Sequence, residues 1–321
     1  MIWDLLQAAL PSGLVALDFD GTLAPISPRP SDARPVAGAA QVLRDVRGTG
    51  ARLAVVSGRS VASLLRVSGF GTIPGIVIYG SHGGERWHAG ELRAAAAPPG
   101  LDELRLSLPG LLAAAGLGPL GGRDLPAGGG LWIEDKGLSL VIHARLTSDP
   151  ERVLETLRAP VGEAAAAAGL GVRPGKEVLE ICIPGIDKGT TLRELIGDDP
   201  ATAVYAGDDL GDLPAIGAVN AWAARSGRPA LTVAVGPRDG PVAGPGRRDR
   251  AGPARSRVVA AADRRGGRVA AAGRDRGGQG RTLTHRGRCY CSSVLGAIAA
   301  GSKSTNARAE PTARRGAPRN V

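Results

Sequence analysis

The chain has 321 residues, 43% of them hydrophobic and only 3% aromatic, so it has room for two domains whose cores must be filled mainly by Ala, Val, Leu and Ile. No run is long and apolar enough to span a bilayer, and no basic-then-apolar leader opens the sequence, so a cytoplasmic protein with no membrane partner is expected. Cys182, Cys289 and Cys291 are too few and too badly spaced for a disulfide framework or a four-ligand zinc site, and Cys182 sits in an apolar run as core.

The net charge of +10 is unevenly spread. Residues 237–321 carry 19 Lys and Arg against 5 Asp and Glu, a net +14, whereas residues 1–236 carry 21 against 25, a net −4. The first part has clear strand and helix patterns; the second is rich in Arg, Gly and Ala and nearly unpatterned.

Residues 1–10 read as a short amphipathic helix. Gly13 to Leu17 is an apolar run typical of a buried parallel strand. It ends in Asp18-Phe19-Asp20-Gly21-Thr22-Leu23, which puts two carboxylates on the same side of a strand end, where open α/β sheets bind ligands. Two unpaired Asp there would repel each other, and a divalent cation would relieve the repulsion. A Ca²⁺ loop or a solvated turn is the plainer alternative, but no further Asp or Asn follows at loop-ligand spacing.

A helix is expected over 35–48 and a second buried strand over 51–56. That strand ends in Ser57-Gly58-Arg59 ahead of a helix over 60–68, so Ser57 either helps an anion-binding turn or simply caps the helix. A third strand, 75–79, leads into the polar loop Gly80-Ser81-His82-Gly83-Gly84-Glu85. Residues 101–117 read as helical, with a break at Pro109-Gly110. Residues 131–145 read as two strands about a tight turn at Lys136-Gly137, in which Glu134, Asp135 and Lys136 could be no more than a solvated tip. A helix from Asp149 or Pro150 to about Ala168 and a strand pair, 171–173 and 178–183, turning at Pro174-Gly175 complete a unit of two helices on a small antiparallel sheet. A helix then runs from Ile186 to Ile196; a Lys at its start, Lys188, opposes the helix dipole and so suggests a functional role. A strand over 202–206 ends in Gly207-Asp208-Asp209-Leu210-Gly211-Asp212, acidic again at a strand end. A last core strand covers 231–236, and no further strand or helix is read after it.

The segment D-F-D-G-T-L resembles the first motif of the haloacid dehalogenase superfamily of phosphotransferases, and S-G-R, Lys188 and the 207–212 segment are similar to its second, third and fourth motifs. The resemblance implies a Rossmann-like parallel-sheet core of α/β class, residues 1–95 and 184–236, with an inserted α+β lid at 96–183. It implies catalysis by Asp18 as nucleophile through an aspartyl-phosphate, Asp20 as proton carrier and Lys188 as neutralising cation, with Ser57, Gly58 and Thr22 at the phosphoryl group. It further implies Mg²⁺ on Asp18, the Asp20 carbonyl and Asp208, with Asp209 and Asp212 orienting them. The inserted unit narrows the match. E-D-K-G-L-S-L-x-x-H-x-R, G-K-x-V-L-E and D-K-G-T-T-L are similar to the trehalose-6-phosphate phosphatases, which implies that His82, Lys136, Arg145, Lys176 and Glu180 hold the sugar. Gly211-Asp212-Leu213 departs from that family's commoner form at the fourth motif.

The function so implied is hydrolysis of trehalose 6-phosphate by a monomer. The alternatives are a phosphatase of another sugar phosphate, such as sucrose phosphate or a mannosyl-phosphoglycerate, or an inactive sugar-phosphate-binding protein. Residues 237–321 have three readings: a disordered basic tail that holds polyanions through their phosphates, an inert linker, or translation in the wrong frame after a shift near 236–245. The third is favoured, because high-GC codons read out of frame give Arg, Gly, Ala and Pro. Nucleic acid is then no expected partner beyond that tail.

Overall fold

A computed structural model describes residues 2–27, 29–116, 130–175 and 177–235, together with the backbone of three short later strands. Its larger sheet is ordered β14-β13-β12-β11-β10-β1-β2-β3-β4-β5. The strands β1 (Leu14–Leu17), β2 (Arg52–Val56), β3 (Ile76–Gly80), β10 (Ala203–Gly207) and β11 (Ala230–Ala234) are mutually parallel. Their almost continuous apolar sequences fit burial on both faces. On one face, Val15, Leu17, Leu53 and Val55 pack with Leu43 of helix α2 (Ala39–Gly48) and Leu64 of helix α3 (Val61–Ser68). On the other, Leu14, Ala16 and Tyr205 pack with Leu192 of helix α6 (Lys188–Ile196) and Val219 and Trp222 of helix α7 (Leu213–Ser226). Helix α1 (Ile2–Ala9) buries Leu6 in the first of these layers.

Between β5 and α6 stands a four-stranded antiparallel sheet, ordered β6-β7-β9-β8. It comprises β6 (Gly130–Asp135), β7 (Ser139–Leu146), β8 (Gly171–Gly175) and β9 (Val178–Cys182), with helices α4 (Pro99–Ala114) and α5 (Pro150–Ala167) against one face. Alternation along the strands separates its two sides. Leu140, Ile142, Ala144, Leu179 and Ile181 are buried under the helices, while Ser139, His143, Arg145, Glu134, Trp132, Arg173 and Glu180 occupy the opposite register positions. The fold is therefore the expected α/β core with an inserted α+β unit.

Four expectations change. Helix α4 runs through Pro109 without a break, because Leu101, Leu104, Leu108 and Leu112 form one buried stripe across it. Pro174 and Gly175 do not form the β8–β9 turn but belong to β8, where Pro174 pairs with Leu179 and Gly175 with Val178. Proline is tolerated there because β8 is an edge strand. A hairpin of β4 (Glu85–His88) and β5 (Glu91–Ala94) extends the large sheet where no strands were expected. Its two turn residues, Ala89 and Gly90, both have positive φ (52° and 92°), as two-residue hairpins require. Finally, the chain does return to the sheet after Gly236. Strand β12 (Val259–Ala261) pairs parallel to β11, and β13 (Arg268–Ala272) and β14 (Thr282–Thr284) follow antiparallel. The short runs Val258-Val259-Ala260-Ala261-Ala262 and Val269-Ala270-Ala271-Ala272 are apolar stretches within a largely Arg-rich sequence. The expected disorder of the rest of 237–321 falls outside the described residues. No helix among the described residues is long and apolar enough to cross a membrane.

Candidate active site

The carboxyl ends of β1, β2, β3 and β10 bring the motif residues together. Asp18 follows β1 and is 4% exposed. Its Oδ1 accepts a 2.7 Å hydrogen bond from Lys188 Nζ, and Lys188 donates equally, at 2.7 Å, to Asp212 Oδ1. Ligand atoms of Asp18, Asp208 and Asp212 lie within 4.8 Å of one another. Asp212 is fully committed: Tyr205 Oη also donates to Oδ1, and the backbone N–H groups of Asp208 and Asp209 donate to Oδ2 at 2.9 and 3.1 Å. It therefore anchors Lys188 and the loop after β10, with Asp18 and Asp208 as the other two carboxylates of the group. Asp209 is the N-cap of the short turn that carries Asp212.

Burial, together with the charges of Asp212 and Asp208, raises Asp18 well above the usual carboxylate range, while Lys188 works the other way. Burial disfavours the Lys188 ammonium, but Asp18 and Asp212 outweigh it and hold that group well above an ordinary lysine. Three carboxylates against one ammonium leave a local excess of negative charge. An all-oxygen donor set of this kind fits a hard cation such as Mg²⁺ and not a thiolate- or imidazole-preferring metal. Gly21 is what lets Asp208 approach: at φ +79°, a Cβ there would lie 1.9 Å from an Asp208 carboxylate oxygen.

Asp20 lies outside this group. Both its oxygens are held by Arg59, whose Nε and Nη2 donate at 2.6 and 2.7 Å, and Arg59 Nη1 donates to the Pro30 carbonyl at 2.7 Å. The guanidinium also covers the Phe19 ring at 5.6 Å. Ser57 is not the helix cap; Ser60 accepts from Ser63 N–H and fills that place. Ser57 extends β2 instead, its N–H donating to the Tyr79 carbonyl and its Oγ accepting from Arg59 N–H at 3.2 Å. Thr22 is buried in the turn after Asp20. Gly58 permits the approach of His82: a Cβ on it would lie 2.8 Å from the imidazole.

His82 stands in a strained backbone, with φ +59°, and meets the small sheet through Glu180 Oε2 at 3.0 Å. Burial lowers His82, so at neutral pH the contact is a hydrogen bond from a neutral ring. Burial would raise Glu180, but the His82 hydrogen bond and the charges of Lys136 and Arg173 hold it well below the usual carboxylate range. Ser139 Oγ donates to Glu180 Oε1 at 2.9 Å, and Lys136 Nζ lies 3.9 Å from the same oxygen. The 134–136 segment is thus more than a solvated tip. Asp135 accepts from Gly137 N–H and from Arg105, closing the turn, while Glu134 accepts from His143 at 2.9 Å. Arg145 stands apart from Glu180, with its guanidinium 5.8 Å over Trp132, which stacks on His143 at 4.2 Å. Lys176 lies outside the described residues. Sequence reasoning gave no site role to Arg59, Arg173, Glu134 or His143; for Arg173 the signal was hidden, since a turn at Pro174-Gly175 would set it away from Glu180 and only the observed β8–β9 register puts the two directly opposite.

Residues 16–96 match the trehalose-phosphatase family model. The trehalose-phosphate phosphatase of Mycobacterium avium is 35% identical over 226 residues, covering 64% of this chain and 51% of that protein. That of Mycobacterium marinum is also 35% identical, over 236 residues, covering 67% and 55%. The chain thus spans about half the length of these curated relatives. A solved trehalose-6-phosphate phosphatase related protein superposes with a TM-score of 0.51 at 26% identity, covering 69% of this chain and 86% of that one. The Aspergillus fumigatus trehalose-6-phosphate phosphatase shares the fold with a TM-score of 0.55 at 18% identity, covering 94% and 97%. In family model, in sequence relatives and in fold, the resemblance to the trehalose-phosphatases that the motifs implied is shown for this chain.

Proposed function

We propose that the chain is a phosphatase that hydrolyses trehalose 6-phosphate through an aspartyl-phosphate on Asp18, with Mg²⁺ as cofactor. The observation that carries this reading is the buried Lys188 bridging Asp18 and Asp212 with Asp208 in reach. The relatives' names supply the substrate.

Asp18 and Asp208 would hold the Mg²⁺ with the Asp20 carbonyl; when bound, the cation supplies charge neutralisation at the phosphoryl oxygens. Lys188 fixes Asp18 Oδ1, so Oδ2 is the oxygen that attacks phosphorus. As the new O–P bond forms, the bond from phosphorus to the sugar oxygen breaks, and that oxygen takes a proton from Asp20. Water then attacks the phosphoaspartate, passes its proton to Asp20, and releases phosphate and Asp18. Asp20 must leave Arg59 to make either transfer. Ser57, Gly58 and Thr22 line the place of the phosphoryl oxygens. The polar side of the small sheet, with Lys136, Arg145 and Glu180, closes with His82 over the sugar, excluding water and orienting the phosphate, and Lys176 joins them by the resemblance alone.

Phosphate release from trehalose 6-phosphate tests this directly. Activity that needs Mg²⁺, disappears in Asp18→Asn and exceeds that on sucrose phosphate supports the reading. Release that persists in Asp18→Asn refutes the covalent route, and a preference for another sugar phosphate refutes the substrate.

A further inference from the structure

We propose that Arg173 is a positioning residue through which the chain selects for the sugar half of its substrate. The inference rests on the phosphatase reading above but concerns a residue to which nothing so far gives a role. Arg173 lies opposite Glu180 in the β8–β9 ladder, on the side of the small sheet away from its helices. Its guanidinium divides between two elements. Nη1 donates to Glu180 Oε2 at 3.5 Å, and Nη2 donates to the carbonyl of Ile186 at 2.8 Å. Ile186 is two residues before Lys188, in the connection that returns the chain from the small sheet to the large one. One side chain therefore ties the carboxylate facing the sugar to the segment that carries the lysine on the nucleophile. Only a planar fork with several donors can serve both acceptors at once.

Among the described residues no other hydrogen bond or ion pair ties Glu180 directly to that connection; its other route to helix α6 runs through His82, whose carbonyl accepts from Thr191 Oγ1 at 3.1 Å. Ser139 fixes its Oε1 from within the small sheet, and His82 reaches its Oε2 from the loop after β3. Without Arg173, the carboxylate keeps Ser139, His82 and Lys136 but loses its direct tie to the connection that leads into Lys188. The consequence falls on substrates that use Glu180 and spares those that use only the phosphoryl site. A small misplacement of an orienting group is enough to cost a large factor in rate.

The test compares sugar phosphates with 4-nitrophenyl phosphate, which has no sugar, on the full chain with Mg²⁺. For the sugar phosphate that the wild type prefers, Arg173→Gln is expected to lower kcat/KM by about tenfold or more, chiefly through KM. On 4-nitrophenyl phosphate it should stay within about twofold of wild type. Arg173→Lys, with one charged donor group, should recover part of the loss. Adding Arg173→Gln to Glu180→Gln should cost no more than about a further twofold, since coupled residues are not additive. Equal losses on both substrates, or additive losses in the double variant, would overturn the proposal. If Arg173→Gln does not fold, Arg173→Lys carries the same comparison. A wild type that turns over 4-nitrophenyl phosphate and prefers a sugar phosphate other than trehalose 6-phosphate refutes the substrate assignment and leaves this comparison intact.

Discussion

Lys188 Nζ donates to Asp18 Oδ1 at 2.7 Å, joining residues 170 positions apart in sequence and both almost fully buried. Asp18 ends the central strand β1, and Lys188 opens the helix that packs beneath it. The pair exists because the parallel sheet places the carboxyl end of one strand over the start of a helix from the far side of the insert. A buried ammonium between carboxylates is stable only while its partners remain.

Lys188→Met should therefore be costly in two ways. It leaves Asp18 and Asp212 facing each other in a buried site without a cation, and it removes the charge that steadies the nucleophile. Breaking such a pair costs about 3–5 kcal/mol, which thermal or denaturant unfolding will register. Lys188→Met combined with Asp212→Asn should recover part of that stability but no turnover. A single variant as stable as wild type would contradict the bridging arrangement.

Gly21→Ala tests the closeness of Asp208. The new Cβ would collide with the carboxylate at 1.9 Å, at a φ of +79° that disfavours any side chain. Phosphatase activity should fall by about 10²-fold or more, as expected when an orienting group is displaced by about 1 Å. The stabilisation of the fold by added Mg²⁺, read as a shift in Tm, should shrink alongside it. An unaffected Mg²⁺ response would separate Asp208 from the metal.

The contact between the two sheets should respond to pH through His82 and Glu180. Both are held below their ordinary values, so the folded chain binds fewer protons than the unfolded one as pH falls. Stability should decline first below about pH 6.5, as the unfolded imidazole takes up a proton, and again below about pH 4.5 for the carboxyl. His82→Asn should flatten the upper part of the curve and Glu180→Gln the lower. Unfolding midpoints measured from pH 7.5 downwards for the three proteins provide the check; because the raised Asp18 works in the opposite direction, the reading lies in the difference from wild type, and variants whose pH dependence equals that of wild type would refute the assignment.

Asp20→Asn should distinguish proton transfer from charge. Loss of a positioned acid costs about 10²–10⁴-fold when the leaving group is an alkoxide. The sugar phosphate should therefore suffer far more in kcat/KM than 4-nitrophenyl phosphate, whose leaving oxygen needs no proton. Equal losses would leave Asp20 with a purely electrostatic part.

Much of this was legible in the sequence because the relevant signals are local. Apolar runs of four or five residues, each ended by Asp or Ser with Gly, mark the parallel strands and the side of the sheet on which chemistry gathers. The turn at Lys136-Gly137 and the helix from Pro150 follow from turn and cap residues in the same way. What was hidden depends on partners distant in sequence. Arg59 could be recognised as part of a motif, but not as the holder of Asp20 39 residues earlier. The hairpin over 85–94 lacks a strong alternation, being made by pairing with β3 and by two left-handed turn residues. Helix α4 passes through Pro109 because a buried leucine stripe outweighs one missing backbone donor. The stacking of Arg145 over Trp132 was hidden in the same way, since it depends on the β6–β7 register.

The central claim is that Asp18 itself takes the phosphoryl group. Acid quenching of the full chain during turnover of trehalose 6-phosphate with Mg²⁺, followed by peptide mass analysis, tests it most directly. The account predicts one phosphoryl group on the peptide containing Asp18, absent in Asp18→Asn. Turnover by wild type with no phosphorylated peptide, or with the label on another residue, would contradict it.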